Sequence, residues 1–448
     1  MQHLPQDFIL RINNQLSEKD ALSFLQALQQ PAPVSIRLNP ARETTIPSGS
    51  TPVPWCTSGY YLSERPVFTL DPLFHAGTYY VQEAGSMLIE ALLKPHPAAL
   101  NAVKVLDACA APGGKSTHLL SMLDDQSVLV SNEIIPNRNK TLRYNLAKWG
   151  YSNKIITQTE TKKLAETNAR FHLILIDAPC SGEGLFRKDP AAVNEWSAER
   201  TVQCAIRQSA IIDDLIPLLH TGGYLLYSTC TYNDQENDQQ IERLIHSGQF
   251  TNVTASPPPG IMATRYGWQA FPHNADTEGF YCCLLRYDGP EQPAGIVKSG
   301  ITPSSKNGQH YLPEWLQSAS GMQTFINGNH LNFASNATVA LVNALNGAYI
   351  REFGIAAGEI KGNDLIPSHA LALSKDINPN LPAIDLSLTD AIGYLKCGNI
   401  QADSEKNGWH LICYEKHPLG WAKKIAQRWN NYHPKEYRIL MNTDNRDL

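Results

Sequence analysis

The sequence predicts a doubly wound α/β fold: a mostly parallel sheet flanked by helices, with a small α/β lobe ahead of it and a second α/β region behind. Three observations predict it. Between about 78 and 288, apolar strands alternate with helical stretches. The glycine pair Gly113-Gly114 falls between the first of these strands and the helix after it. Residues 286 to about 312 are rich in Pro, Gly and Ser, a break before roughly 135 further residues.

The elements follow in order. Leu16–Leu28 has helical spacing, with Ser17 as its cap ahead of Asp20. Val34–Asn39 alternates like a short strand, bracketed by Pro31, Pro33 and Pro40. Ala102–Leu106, Val128–Ser131, Ile155–Thr157, Leu173–Ile176, Tyr224–Tyr227 and Phe280–Leu285 read as buried strands. Lys115–Leu123, Arg138–Lys148 and Val202–Leu219 read as helices between them.

The chain has 448 residues, enough for two or three cores. A net charge of -5 neither announces nor excludes a nucleic-acid binder, since a local basic face can sit on a mildly acidic whole. The nine cysteines include no CxxC pair, which argues against a disulfide framework or a zinc site and for a reducing compartment. The N-terminus lacks the apolar core of a signal peptide, and no apolar run reaches membrane-span length. The expectation is a cytoplasmic protein with no membrane or metal partner, a monomer being favoured.

A first candidate site lies after the first central strand, in Asp107-Ala108-Cys109-Ala110-Ala111-Pro112-Gly113-Gly114-Lys115-Ser116. A phosphate loop would need glycine where Cys109 stands, and the dinucleotide GxGxxG spacing is missing. About 20 residues on, the second strand ends in Asn132-Glu133, where a carboxylate can accept ribose hydroxyls. A glycine turn plus this acid suits adenosine without a pyrophosphate, which points to S-adenosylmethionine.

A second candidate site uses the ends of two later strands. One ends in Asp177-Ala178-Pro179-Cys180 and the next in Ser228-Thr229-Cys230-Thr231. In an open α/β sheet ligands bind at the carboxyl ends of the strands, so both thiols and Asp177 belong on the cofactor rim. Carbon 5 of cytosine is a poor nucleophile. A thiolate added at carbon 6 makes the ring enamine-like, and carbon 5 can then take a methyl group. An acid such as Asp177 near ring N3 would stabilise the adduct. Spacing alone does not choose between the two thiols. The other cysteines, Cys109 among them, read as small core hydrophobes.

These motifs resemble the RNA cytosine-C5 methyltransferase family, and within it the RsmF type acting on 16S ribosomal RNA. DACAAPGGKS, DAPCSGEGLFRKDP and YSTCTYNDQEND carry the resemblance, with Ser35–Asn39, Tyr80–Met87, Pro272-His273 and Gly279–Tyr281. It covers most of 30–285 and weakens toward the C-terminus. The resemblance implies a Rossmann-like class I methyltransferase sheet and a C-terminal PUA-like RNA-binding domain. It implies that Cys109, Ala110, Ala111, Pro112, Gly113, Gly114, Lys115, Glu133 and Asp177 contact S-adenosylmethionine, with Glu160 matched to the adenine side. It makes Cys230 the nucleophile and Cys180 the cysteine that helps release product, with Lys115 reaching the target base. The partner implied is RNA, as 16S rRNA or the small ribosomal subunit. Two other readings stand beside this one: the same chemistry on transfer RNA, and a non-catalytic RNA-binding or ribosome-assembly factor.

Two basic stretches bear on the partner. Phe186-Arg187-Lys188 reads either as a phosphate contact or as a solvated loop. Trp421 to Lys424, Arg428, Trp429, Lys435 and Arg438 interleave cations with aromatics, which reads either as a face for RNA backbone and bases or as a solvated helix with core anchors. The expected organisation is an RNA-facing lobe at 1–75, a central domain at 76–288, a linker at 289–312 and a C-terminal region at 313–448.

Overall fold

In the computed structural model, residues 4–291, 293, 311–318, 321–362 and 364–441 are described. Most of the expected linker, residues 292 and 294–310, lies outside the described residues.

The N-terminal lobe holds helices Gln6–Gln15 and Glu18–Ala27 and an antiparallel sheet. Ser17 caps the second helix by accepting from the Asp20 amide, as its position predicts. The first helix is not expected from sequence. Phe8 and Ile12, four residues apart, both face inward and pack against Phe186 and Trp196 of the central domain. The lobe's sheet runs Thr51–Pro52, Gly59–Leu62, Val34–Leu38, Tyr79–Val81, so it extends past residue 75.

The reason for the SIRLN stretch is burial. Arg37 is fully buried and donates to Gln82 Oε1 at 2.9 Å and to Thr117 Oγ1 at 2.6 Å. Its guanidinium lies 4.5 Å from the Trp149 ring centroid. This joins the lobe to the helix that follows the glycine turn. Removing one partner would leave a buried guanidinium N–H unsatisfied, which costs about 1–3 kcal/mol.

The central sheet has ten strands. Five are parallel: β1 (Lys104–Asp107), β2 (Val128–Asn132), β3 (Lys154–Thr157), β4 (Phe171–Asp177) and β5 (Leu219–Thr229). β6 (Phe280–Tyr287) is antiparallel to β5. β4 and β5 are neighbours, so Asp177 pairs in register with Ser228. Helices α1 (Gly114–Met122), α2 (Pro136–Trp149) and α3 (Ala198–Leu215) cross between the strands. Strand interiors such as Leu129, Ile156, Leu173 and Leu226 form one core cluster, and Val130, Ile155, Ile174 and Leu225 another. This alternation puts one cluster on each face of the sheet.

The C-terminal region holds two further four-stranded sheets. It also gives a strand to the central sheet: β7 (Ile350–Phe353) pairs antiparallel with β3. Sequence patterning places this strand in a separate unit, because a local pattern does not show a partner some 200 residues away.

Among the described residues no helix is long and apolar enough to cross a membrane.

Candidate active site

The loop after β1 turns at Gly113, whose φ of 113° is left-handed and disfavours any side chain. A Cβ on Gly114 would come within 3.3 Å of Tyr80, so the pair also lets the lobe approach closely. The Ala111-Pro112 bond is cis.

Two cavities flank this loop, and Cys109 lines both. The larger, about 460 Å³, is walled by Ile134, Ile135, Pro179 and Ile211, with Glu133, Glu160, Arg138 and Arg207 among its polar groups. Glu133 is buried, accepts from the Ile135 amide at 2.8 Å and lies 3.4 Å from Arg138. Glu160 sits at the exposed rim and makes no capping bond to the helix it precedes. The smaller cavity, about 190 Å³, is lined by Asp107, Ala110, Ala111, Pro112, Gly114, Lys115 and Asp177, with Glu83 and Ser86 from the lobe side.

Asp107, Arg138, Arg207 and Glu236 are not singled out by sequence. Asp107 is fully buried, and burial pushes its carboxyl up to about 7. Its Oδ2 accepts from Ser116, whereas Oδ1 has no hydrogen-bond partner among the described residues. An unpartnered buried oxygen costs free energy unless a ligand or water meets it. Its signal is present in the sequence, as the acid closing the first strand.

Cys180 Sγ and Cys230 Sγ are 3.1 Å apart, each half-buried. Hydrogen bonding to Cys230 and burial push the Cys180 thiol well above its ordinary range. Gly184 donates to the Cys230 carbonyl at 2.8 Å, and a Cβ there would strike that carbonyl. That close approach accounts for the second glycine of SGEG. Behind Cys180, Glu236 accepts from Ser181 N, Ser181 Oγ and Gln208 Nε2. Burial holds Glu236 up at about 7.

Lys115 Nζ lies 2.9 Å from Asp177 Oδ2, and Ser228 Oγ donates to Asp177 Oδ1 at 2.8 Å. Burial pulls the Lys115 ammonium down, but the charge and hydrogen bond of Asp177 outweigh it and leave the group raised. The structure thus brings Cys180, Cys230, Asp177 and Lys115 to one rim. The loop Cys109–Lys115 and Glu133 line the adjoining cavities.

Arg187 is not available to phosphate. It forks onto Glu278 at 2.9–3.1 Å with only 6% of its side chain exposed, and Phe186 is a core residue. Trp421 is likewise a core residue, while Arg428, Lys435 and Arg438 are exposed. Among the described residues, one group elsewhere combines ligand-type side chains: the buried Cys56, Glu90 and His118. Glu90 is already met by the Thr57 amide and hydroxyl and by His118, so it reads as a hydrogen-bonded triad.

Known proteins match along most of the chain. Residues 91–286 match the family described as 16S rRNA methyltransferase RsmB/F. Residues 4–84 match the N-terminal domain of 16S rRNA methyltransferase RsmF, and 381–439 match the RsmF PUA domain. Ribosomal RNA small subunit methyltransferase F of Escherichia coli strain SMS-3-5 is 30% identical over 442 residues, covering 92% of each chain. The protein of that name from Shigella boydii serotype 4 matches to the same extent. Two solved structures share the fold. A methyltransferase homolog from Pyrococcus horikoshii has a TM-score of 0.54 at 24% identity, covering 63% of this chain and 98% of that one. NSun6 from Pyrococcus horikoshii has a TM-score of 0.54 at 19% identity, covering 64% and 100%. The rim of thiols at the strand ends and a likeness that runs from the first helix to the last sheet lead to one conclusion: this chain belongs to the RsmB/F family of 16S rRNA methyltransferases.

Proposed function

We propose that this chain methylates carbon 5 of a cytosine in 16S ribosomal RNA, with Cys230 as the nucleophile. The observation that carries the reading is the pair of thiols 3.1 Å apart beside the Lys115–Asp177 ion pair. Methylating an oxygen or an exocyclic nitrogen needs no thiol; carbon 5 does.

The residues around the loop fit S-adenosylmethionine. The larger cavity has apolar walls for an adenine and a buried acid, Glu133, for ribose hydroxyls, with Glu160 at its mouth. The smaller cavity offers the unpartnered Asp107 oxygen and the loop Cys109–Lys115. When bound, S-adenosylmethionine supplies an activated methyl group.

The chain's own groups do the rest. Cys230 forms a bond to carbon 6 as its proton passes to ring N3, leaving an electron pair at carbon 5. Asp177, fixed between Lys115 and Ser228, accepts the hydrogen bond of the protonated N3 and so stabilises the adduct. After carbon 5 has been methylated, a water molecule acting as base takes its proton and the bond to Cys230 breaks. The Cys180 thiol is placed to return a proton to the departing sulfur. A paired cytosine cannot reach this rim, so the base must flip or lie in a loop.

Bisulfite sequencing of total RNA from a deletion strain tests the proposal. One 5-methylcytosine of 16S rRNA should disappear and return with the plasmid-borne gene. Unchanged 16S rRNA would overturn the assignment.

A further inference from the structure

A third cavity, about 560 Å³, opens in the N-terminal lobe against the active site. Arg65, Val67, Phe68, Phe74, Tyr80 and Asn145 are among its lining residues. It shares Tyr80 and Val81 with the cavity of Lys115 and Asp177, so the two adjoin across these residues. The shared wall is fixed. Asn145 Nδ2 donates to the Pro112 carbonyl at 2.8 Å and lies 3.4 Å from the Tyr80 hydroxyl. Tyr80 also packs on Gly114 of the cofactor loop.

The chemistry of this cavity is specific. None of its lining residues is acidic. Arg65 is exposed, makes no ion pair among the described residues and lies over the Phe68 ring at 5.6 Å. Phe68 is half-buried, braced by Phe74 and Tyr79 with ring centroids 6.4 and 6.1 Å away. Val67 beside it is 47% exposed. The Phe74 ring carries the Lys148 ammonium at 3.6 Å, and Phe68 and Tyr80 are the other rings of the lining. The volume falls within the range of about 300–1,000 Å³ typical of ligand sites.

We infer that this cavity is a subsite for a single-stranded nucleotide next to the target cytosine, its base on Phe68 and its phosphate on Arg65. The inference rests on the RNA-methylation reading above. A base held at Cys230 brings its chain neighbours to the mouth it entered by. An aromatic platform with an unpaired cation is what a flanking nucleotide would meet there. The subsite would position the RNA without touching the reacting atoms.

The test uses the full-length protein and in vitro transcribed 16S rRNA. Phe68→Ala, Arg65→Ala and Phe68→Tyr are compared with wild type for RNA affinity by filter binding. KM and kcat for methyl transfer and S-adenosylhomocysteine affinity by calorimetry are measured alongside. Phe68→Ala and Arg65→Ala should each weaken RNA binding by about 5- to 100-fold. KM should rise with kcat less affected, S-adenosylhomocysteine binding should be unchanged, and Phe68→Tyr should restore affinity. RNA affinity unchanged in Arg65→Ala, an exposed position that does not threaten folding, would overturn the subsite. Because affinity is read without turnover, a wild-type protein that binds RNA but transfers no methyl would count against the proposed function and leave the subsite measurable.

Discussion

Cys180 and Cys230 face each other at 3.1 Å from loops that follow two adjacent parallel strands. Their roles can be separated, because only one of them bonds to the base. Cys230→Ala should reduce methyl transfer to background. Cys180→Ala should trap a covalent protein–RNA adduct that survives a denaturing gel. An adduct trapped by Cys230→Ala instead would exchange the two assignments.

Asp177→Asn keeps the size of the side chain and its bond from Ser228 but removes the charge that faces Lys115. The kcat for methyl transfer should fall by about 100-fold or more, in line with the loss of a preorganised electrostatic contact. RNA affinity should stay within about threefold of wild type, since phosphate contacts dominate it. Unchanged turnover would remove Asp177 from the chemistry.

Asp107 gives a pH signature. Its folded-state value of about 7 lies above the roughly 3.9 of an unfolded Asp. The stability this contributes is present below pH 4 and is lost as pH rises through 7, up to about 4 kcal/mol. Asp107→Asn should therefore gain in melting temperature relative to wild type between pH 5 and pH 8. Parallel melting profiles would show that the carboxyl is not held in its acid form.

Lys148 runs the other way. It is buried against Phe74 and Tyr144, and burial pulls its ammonium down to about 7. The folded-state value is below the unfolded one, so stability is lost as pH falls from about 10 toward 7. Lys148→Met should match wild type best near pH 10 and exceed it increasingly toward pH 7. A constant difference in thermal melts across that window would sink the argument.

Arg428 and Arg438 stand exposed in the region matched to the PUA domain. Replacing each with Glu should weaken RNA binding uniformly across sequences. The slope of log K against log salt should become shallower by about 0.7–0.9 for each phosphate no longer neutralised. A variant with the wild-type slope would show that this face does not meet RNA.

Much of the site is legible in the sequence because its residues follow strands. Asp177, Cys180 and Cys230 fall on one rim from the α/β rule alone, and β4 and β5 are indeed neighbours. The strand ending before the glycine turn matches its sequence pattern to within a residue or two at each end. Other features depend on long-range partners. Arg187 looks like a phosphate contact because Glu278, some 90 residues on, does not show in a local pattern. Asp107 reads as part of a motif, and only burial reveals its raised carboxyl. The helix Gln6–Gln15 escapes a local reading because its buried face is set by the distant Phe186 and Trp196.

The strand that the C-terminal region lends to the central sheet has a practical consequence. Without Ile350–Phe353 the outer side of β3 would be an open row of amides and carbonyls, a template for aggregation. Tyr349 N also donates to Thr159 Oγ1, and Arg351 to Gln158, so truncation there would loosen the wall that carries Glu160. A protein cut after residue 288 would thus be less a minimal enzyme than a damaged one, and trimming for crystallisation or fusion belongs beyond residue 353.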